Sequence, residues 1–347
     1  MTYHTLFGPI EWEEQIWRDA TRAYRPLSFL GVTHRGYSLP LQRAMADFGA
    51  ERSFAHAVAA LKEHYRIVIP ESAVRDRTLE HAGKSVNVSV PKLTPDNPTQ
   101  CVTSMDGTMI PIMGLRDDPA QPDGRKRRFV GWKEAKHCMA YTEGSSVSRH
   151  MVSFSDPEKA GRTWRTVAEQ TGITARTYIH GIGDGAPWIA DQFRTHFGGY
   201  GKYTLDLFHV CERLAKVVEL HPKLPKNWLH CRKEELLANK WKAVFNRLAK
   251  LEEPVGTADK DAPARTTLAY LKPRIEHLDY KTAEARGLPV GSGCMEGSHR
   301  SVLQERLKIA GAWWSEDSAN AMAHLRVLRA NEGWASYWEK RLAEPIS

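Results

Sequence analysis

The stretch "TARTYIHGIGDGAPWIADQFRTHFGGYGKYTLDLF", residues 174–208, determines the class of the fold. Its first part predicts a strand that ends at Asp184, "GAPWIADQFRTHF" predicts a helix, and "YTLDLF" predicts a second short strand. Upstream, strands are predicted in "CVTSMDGTMIPIMG", "RFVGWKEAKHCMAYT" and "SSVSRHMVSFS", followed by a helix in "DPEKAGRTWRTVAEQTG". Three consecutive strands, then helix, strand, helix and strand, predict an α/β fold with a mixed sheet flanked by helices.

The segment that follows this sheet, from His209 to Ala285, has an almost wholly helical pattern. In "EELLANKWKAVFNRLAKLEE" the apolar residues recur at three- and four-residue steps, which is typical of amphipathic helices. A loop rich in helix breakers, "PVGTADKDAPAR", divides the segment. We therefore expect an all-helical insertion after the fifth strand.

The N-terminal region predicts a short hairpin between Thr5 and Arg18, with a Gly-Pro turn, and then a pair of helices. Ser53 is a suitable N-cap for the first helix, and the second runs from Glu71 to about Gly83. Such a pair resembles a helix-turn-helix, in which Arg75 and Arg77 on the second helix would contact DNA. A plain scaffold is an equal alternative. Residues 85–100 are rich in Pro, Asn and Thr and predict a linker.

Composition limits the class of protein. The chain has 347 residues and a formal net charge of +8, which suits two or three domains and an acidic partner such as nucleic acid or an anionic membrane. It has no run of about 18 apolar residues, and its N-terminus does not resemble a signal peptide. Its five cysteines lack CxxC spacing, which argues against a disulfide framework or structural zinc. We expect a soluble cytoplasmic protein.

Three acidic residues are candidates for chemistry. Asp106 lies inside an apolar strand, and Asp184 ends a strand just before a glycine and a helix. Glu296 lies in the glycine-flanked helix start of "GSGCMEGSHRSVLQERLKIAGAWW", residues 291–314. Alone, each aspartate is more simply a solvated turn residue or a helix cap. Carboxylates from three different elements, however, are the hard oxygen ligands that two magnesium ions on a phosphodiester require.

Basic residues accompany these acids. Arg300 lies one helical turn after Glu296, and Arg306 and Lys308 continue the positive charge, which suits contact with DNA phosphates near a metal. A surface ion pair between Glu296 and Arg300 is the simpler alternative. The predicted hairpin "GRKRRFVGWKEAK" adds Arg127 and Arg128 as candidate DNA-binding residues, although a solvated face is equally consistent. Of the neighbouring tryptophans at 313 and 314, either could stack on an unpaired base, but core packing is the more usual role.

Four motifs together resemble bacterial insertion-sequence transposases of the DDE class, which have an RNase H-like core and belong to the retroviral integrase superfamily. They are "SMDGT", "GIGDGAPWI", "LDLFHVCERL" and "GSGCMEGSHRSVLQERLKIAGAWWSEDSANAMAHLRVLRAN". The last is the most specific, and the resemblance covers about residues 101–331. It implies that Asp106, Asp184 and Glu296 are the catalytic and metal-binding residues.

The resemblance also distinguishes the second catalytic acid from the residues that support it. In RNase H-like topology the second catalytic acid ends the fourth strand, and counting strands from Cys101 makes that residue Asp184. Asp206, which also ends a strand, then becomes a supporting or structural acid, but it stays an alternative. His209 and Arg300 are possible supporting residues for the carboxylates or for substrate phosphate.

By this resemblance we expect a transposase that cuts transposon ends and joins them to target DNA. It would use two Mg²⁺ or Mn²⁺ ions and act on double-stranded DNA as a homodimer, in a bacterial cytoplasm in association with the nucleoid. Four regions are predicted: a DNA-binding region at 1–95, core at 96–208, insertion at 209–285 and core completion at 286–347. The alternatives are a catalytically inactive, transposase-derived DNA-binding protein and an RNase H-like structure-selective nuclease.

Overall fold

The computed structural model describes residues 1–86, 88, 93, 98–117 and 126–344. Most of the predicted linker and residues 118–125, which include the start of the basic stretch "GRKRRFVGWKEAK", lie outside the described residues. The chain divides into two compact units. The first comprises Met1–Val90, Met109–Lys133 and Arg300–Ser347, and the second comprises Pro91–Thr108 and Glu134–His299.

The strands and helices are numbered in chain order. The strands are β1 Thr2–Thr5, β2 Gly8–Glu11, β3 Trp17–Arg18, β4 Ala23–Tyr24, β5 Gly36–Tyr37, β6 Gln100–Asp117, β7 Lys126–Thr142, β8 Arg149–Ser153, β9 Tyr178–Gly183 and β10 Gly201–Leu205. The helices are α1 Leu39–Glu51, α2 Phe54–Tyr65, α3 Glu71–Ser85, α4 Pro157–Glu169, α5 Pro187–Phe197, α6 Leu207–Leu220, α7 Trp228–Leu237, α8 Trp241–Ala249, α9 Pro263–Leu271, α10 Tyr280–Ala285, α11 Gly293–His299, α12 Glu305–Leu307, α13 Glu316–Ala330 and α14 Trp334–Ala343. A π-helical turn, Arg300–Gln304, joins α11 to α12.

The second unit contains a five-stranded mixed sheet with the order β10-β9-β6-β7-β8. β10, β9 and β6 are parallel, whereas β7 and β8 are antiparallel. Asp156 caps α4, since its carboxylate accepts the N–H of Lys159 at 2.8 Å. The aromatic side chains Trp164, Phe193 and Phe197 of α4 and α5 share a core with sheet residues. The predicted mixed sheet flanked by helices is confirmed.

Gly201 aligns the two last strands. A Cβ atom at Gly201 would lie 1.7 Å from the carbonyl oxygen of Ile179, so only glycine allows β10 to start this close to β9. The paired residues then run from Gly201 opposite Ile179 to Leu205 opposite Gly183.

Between Leu207 and Ala285 the second unit is built from helices α6 to α10 and short 3-10 turns. They enclose a separate core that includes Leu214, Leu248, Leu268 and Tyr280. The apolar residues of the predicted amphipathic pattern contact this core, namely Leu237, Trp241, Val244, Phe245, Leu248 and Leu251. The helical prediction for this segment is therefore confirmed.

The first unit contains the N-terminal hairpin of β1 and β2 and the helices α1 to α3, with α13 packed on α3. Ser53 caps α2 as predicted, accepting the N–H of His56 at 3.3 Å. Two local predictions were wrong. The hairpin turns at Leu6 and Phe7 rather than at Gly-Pro, because Thr5 Oγ1 accepts the Phe7 N–H, and α3 continues through Gly83 to Ser85.

The first unit also buries Arg306. Its guanidinium lies 4.6 Å from the ring centroid of Phe54 and 4.8 Å from that of Trp314, and its Nε donates to the carbonyl of Gly49 at 2.8 Å. The sequence predicted Arg306 as a DNA contact, and the structure corrects this, because the side chain is 2% exposed. Arg306 is a core residue. Trp314 is buried beside it, whereas Trp313 is 57% exposed.

Candidate functional site

Three aspartates occupy equivalent register positions on three neighbouring parallel strands in the second unit: Asp106 lies within β6, and Asp184 and Asp206 directly follow β9 and β10. The offset that pairs Thr103 with Gly181 places Asp106 of β6 opposite Asp184, the residue after β9. The offset that pairs Leu205 with Gly183 places Asp206, the residue after β10, opposite the same Asp184. This aspartate row therefore concentrates negative charge at the carboxyl ends of β9 and β10, beside the point where β6 extends past them, and α/β sheets place their sites at the carboxyl ends of strands.

Asp106 is partly buried at one end of the aspartate row. Its Oδ1 accepts the N–H of Gly107 at 2.7 Å, and its Oδ2 lies 3.8 Å from Nδ1 of His299. Burial raises the pKa of the Asp106 carboxyl above its ordinary value, and the nearby charge of Asp184 raises it further, while His299 opposes the shift. A cation placed beside this carboxyl would stabilise its charged form and oppose the shift.

Asp184 lies in the middle of the row and is exposed. Its Oδ1 accepts the N–H of Ala186 at 2.9 Å, and its backbone carbonyl accepts the hydroxyl of Tyr270. The backbone around Asp184 is thus fixed by the turn into α5 and by the helical segment. Its carboxylate faces solvent and is accessible to a ligand.

Asp206 lies at the other end of the row and is buried. Its Oδ1 accepts the N–H of Phe208 at 2.6 Å, which caps α6, and its Oδ2 accepts the Ser292 N–H at 3.0 Å and also the Ser292 hydroxyl. Nε2 of His209 lies 4.0 Å from the same oxygen. Because both oxygens are used within the protein, Asp206 suits a structural role, and Asp184 is the better candidate for the second acid.

Glu296 lies on α11 between the two residues that meet the row. Ser292 bonds Asp206, and His299 lies beside Asp106. Positions 292, 296 and 299 are four and three residues apart, so they share one face of the helix. Seven residues of helix rise about 10 Å, which matches two spacings between neighbouring strands of about 4.8 Å each. Glu296 is exposed and lies in the chain between the two residues that contact the row.

The three predicted carboxylates do not form a closed metal site. Among the residues that the structure describes, no group of three or more His, Cys, Asp or Glu side chains could hold a metal ion. Asp106 and Asp184 influence each other electrostatically, and Glu296 projects from a helix rather than from the sheet. The strand register brings Asp106 and Asp184 to neighbouring positions on the sheet.

A cavity of about 400 Å³ adjoins Asp184. Its lining includes three positively charged side chains, Arg213, Lys216 and Arg274. His209, Glu212 and Tyr270 also line it. The guanidinium of Arg213 lies 3.8 Å from the ring centroid of Tyr270 and that of Arg274 lies 4.3 Å from it. Nε of Arg274 donates to the carbonyl of Gly185 at 2.7 Å. Cations beside an exposed carboxylate suit a phosphodiester next to a metal.

Sequence reasoning named His209 as a possible supporting residue but missed Arg213, Lys216 and Arg274. His209, Arg213 and Lys216 recur at steps of four and three on α6, which is a helical stripe and was a usable signal. Arg274 could not be found in this way, because it comes from a turn about sixty residues further along the chain and reaches the site only through the fold.

The other predicted DNA contacts are on the surface. Arg75 pairs with Asp76 at 2.8 Å and Arg77 with Glu80 at 2.5 Å, both on α3. Arg300 lies 3.4 Å from Glu305. The remaining three, Arg127, Arg128 and Lys308, are exposed. They remain predictions, as does the role of α2 and α3 in binding DNA.

Residues 143–341 match the uncharacterised protein family UPF0236. The chain belongs to this family. The region that UPF0236 shares here includes Asp184, Asp206, Glu296 and the basic cavity, whereas Asp106 lies before it. Comparison with curated proteins gave no match.

The UPF0236 chain is also similar to a solved structure, the "Drosophila P element transposase strand transfer complex". The TM-score is 0.34 and the sequence identity 9%, over 91% of this chain and 83% of that chain. A likeness of this size establishes neither a shared fold nor a shared activity. No helix in the described ranges is both long and apolar enough to cross a membrane.

Proposed function

We propose that the chain is a DNA transposase of the DDE class that cuts DNA at transposon ends and joins the new 3′ ends to target DNA. The observation that carries the proposal is the register of Asp106 with Asp184 on neighbouring parallel strands, together with the contacts of Ser292 and His299, on either side of Glu296 in the chain, with Asp206 and Asp106. The sheet order supports it. In chain order the fourth strand of the sheet is β9, and Asp184 directly follows it, at the position where RNase H-like enzymes place their second acid.

The donor set fits Mg²⁺ or Mn²⁺. Carboxylate oxygens are hard ligands, and three suffice because such ions retain water and take further oxygens from phosphate. Asp106, Asp184 and Glu296 would hold the ions, with Glu296 turning toward the row. When bound, two ions supply activation of the attacking oxygen and charge stabilisation for the leaving oxygen.

The basic residues of the cavity would bind the substrate rather than the metal ions. Arg213, Lys216 and Arg274 would hold the phosphodiester in the cavity beside Asp184 and orient it for in-line attack. Tyr270 keeps both guanidinium groups in place by its ring, so little side-chain freedom is lost when phosphate binds. The net charge of +8 favours DNA as the partner and makes affinity sensitive to salt. We further propose that two copies act together, each on one DNA end.

The test is cleavage of a defined end. Purified full-length protein is incubated with Mg²⁺ and DNA that carries the inverted repeats flanking its own reading frame. We expect nicks at the repeat boundary and near-complete loss of nicking in Asp106→Asn, Asp184→Asn and Glu296→Gln. The matched control is Asp191→Asn, an exposed aspartate on α5 that pairs with Arg194 and lies off the row, which should cleave normally.

Two other outcomes would replace the proposal. Specific binding of the repeats without nicking indicates a catalytically inactive DNA-binding protein, a candidate that the open arrangement of the three carboxylates favours. Cleavage of branched or hybrid substrates that ignores the end sequence indicates a structure-selective nuclease.

A further inference from the structure

Behind Asp106 lies a cluster of three buried histidines, His137 of β7, His150 of β8 and His299 of α11. Nε2 of His137 is 3.1 Å from Nδ1 of His150, and Nε2 of His150 is 2.7 Å from the hydroxyl of Ser148. The rings of His137 and His299 have centroids 5.6 Å apart. All three imidazoles are less than 5% exposed, so the cluster is part of the interior of the second unit.

Burying three polar rings costs free energy because the rings lose their hydration, and hydrogen bonds within the cluster offset part of that cost. Burial lowers the pKa of His137 far below its ordinary value and lowers the pKa of His150 to about 4, so both are neutral near pH 7. Neutral imidazoles joined by hydrogen bonds form a rigid packed group rather than a charged one. The group therefore can fix geometry without adding charge behind the aspartate row.

The cluster meets the row at one point, where Nδ1 of His299 lies 3.8 Å from Oδ2 of Asp106. The other carboxylate oxygen accepts the Gly107 N–H. His299 is also on the same helix and the same face as Glu296, one turn later. The imidazole of His299 thus links β6, which carries Asp106, to α11, which carries Glu296.

We propose that His299 is a positioning residue that fixes the carboxylate of Asp106 relative to α11, with His137 packed against its imidazole and His150 hydrogen-bonded to His137. This inference rests on the proposed function, since it assigns His299 to the support of a metal ligand. Residues that orient metal ligands typically change metal affinity about 10- to 100-fold when they are replaced.

The test measures Mn²⁺ binding to the DNA-free, full-length protein by electron paramagnetic resonance. We expect His299→Ala to weaken Mn²⁺ affinity about 10- to 100-fold. His299→Asn should recover most of the loss, because an asparagine amide can place an N–H close to the position of Nδ1. In an Asp106→Asn background, His299→Ala should cause no further loss, since the carboxylate that it orients is already gone.

The control for a purely structural effect is His81→Gln in the first unit. His81 is also buried and bonded at both ring nitrogens, to Tyr337 and Gln42 at 2.9 Å each, but it contacts none of the three aspartates. It should lower the melting temperature and leave Mn²⁺ affinity unchanged.

The inference is overturned if His299→Ala and His299→Asn both bind Mn²⁺ like the wild type, or if the loss is equally large in the Asp106→Asn background. Circular dichroism identifies any variant that has not folded, and the asparagine variant then decides. Failure of the wild type itself to bind Mn²⁺ refutes the metal-dependent function, and the role of His299 with it. That result is distinct from a wild type that binds and a His299 variant that is indifferent.

Discussion

The carboxylate of Asp206 accepts two hydrogen bonds from Ser292, one from its backbone N–H and one from its hydroxyl. These bonds join the end of β10 to the start of α11, although the two residues are 86 positions apart. The contact fixes where the helix that bears Glu296 begins. Asp206 therefore affects the site through structure rather than as a ligand.

Replacing Asp206 should distinguish a structural role from a role as a metal ligand. Asp206→Ala leaves the N–H groups of Phe208 and Ser292 without their acceptor, so we expect a loss of about 2–3 kcal/mol in the free energy of unfolding. Ser292→Ala removes only the hydroxyl bond and should cost about 1 kcal/mol. Urea denaturation measures both. Asp206→Asn should keep Mn²⁺ affinity within a few-fold of wild type, and complete loss of binding would instead make Asp206 a ligand.

The basic cavity predicts a salt effect. If Arg213 and Lys216 each contact one phosphate, then Arg213→Ala and Lys216→Ala should each reduce the slope of log affinity against log salt by about 0.9 for duplex DNA. Fluorescence anisotropy at several NaCl concentrations gives the slope. Arg247→Ala is the matched control, since Arg247 is an exposed arginine on α8 that pairs with Glu235. Equal slopes for all variants would show that Arg213 and Lys216 do not contact DNA phosphates.

Burial of His81 predicts a pH dependence of stability. Its pKa is lowered by burial to about 4 in the folded protein, against an ordinary value of 6.5. The unfolded chain thus binds a proton that the folded chain does not between these values, and stability falls as the pH falls from 6.5 to about 4. The full shift corresponds to about 3 kcal/mol.

Denaturant unfolding at a series of pH values tests this effect. His81→Gln should be less stable than wild type near pH 7 and should show a shallower decline toward pH 4, because it has no imidazole at this position to protonate. An unchanged slope would mean that protonation of His81 is not coupled to folding.

The buried guanidinium of Arg306 predicts a stability effect without a DNA effect. Arg306→Ala removes a side chain packed against Phe54 and Trp314 and leaves the Gly49 carbonyl without its donor, so we expect a loss of about 3 kcal/mol. Its affinity for DNA per folded molecule should be unchanged. Lys308→Ala, two residues away on the surface, should weaken DNA binding and leave the free energy of unfolding unchanged. Thermal melts and anisotropy on the same samples distinguish them.

Much of the second unit could be predicted from the sequence, because its strands are short apolar runs that end at turn residues. The end of β9 at Gly183, just before Asp184, follows from such a run, and the cap of α4 at Asp156 follows from capping chemistry. Helix α1 was not predicted. Its signals, Ser38 as N-cap and Pro40 near the first turn, precede a sequence with a glycine at position 49 that weakens the helical pattern.

The site was harder to predict, because the choice among acids depends on long-range contacts. Asp184 and Asp206 each follow a short strand and precede a helix, so the local sequence does not separate them, and the strand count favours Asp184. The burial of Asp206 and its bonds from Phe208 and Ser292 then support a structural role for that residue. Arg306 was assigned to DNA because of its charge, yet stacking on aromatic rings allows an arginine to be buried. His299 carried no local signal, since its partners come from β6 and β7.

The alignment of β9 and β10 through Gly201 has an evolutionary consequence. The spacing of the three aspartates depends on strand register, so an insertion of one residue within β9 or β10 would move an acid by about 3.3 Å and turn its side chain to the opposite face of the sheet. The same insertion at Gly199, in the connection before Gly201, would leave the strands in place. Relatives that retain the activity should therefore vary in length between these strands but not within them, and single-residue insertions at Gly199 and within β9 or β10 test this constraint.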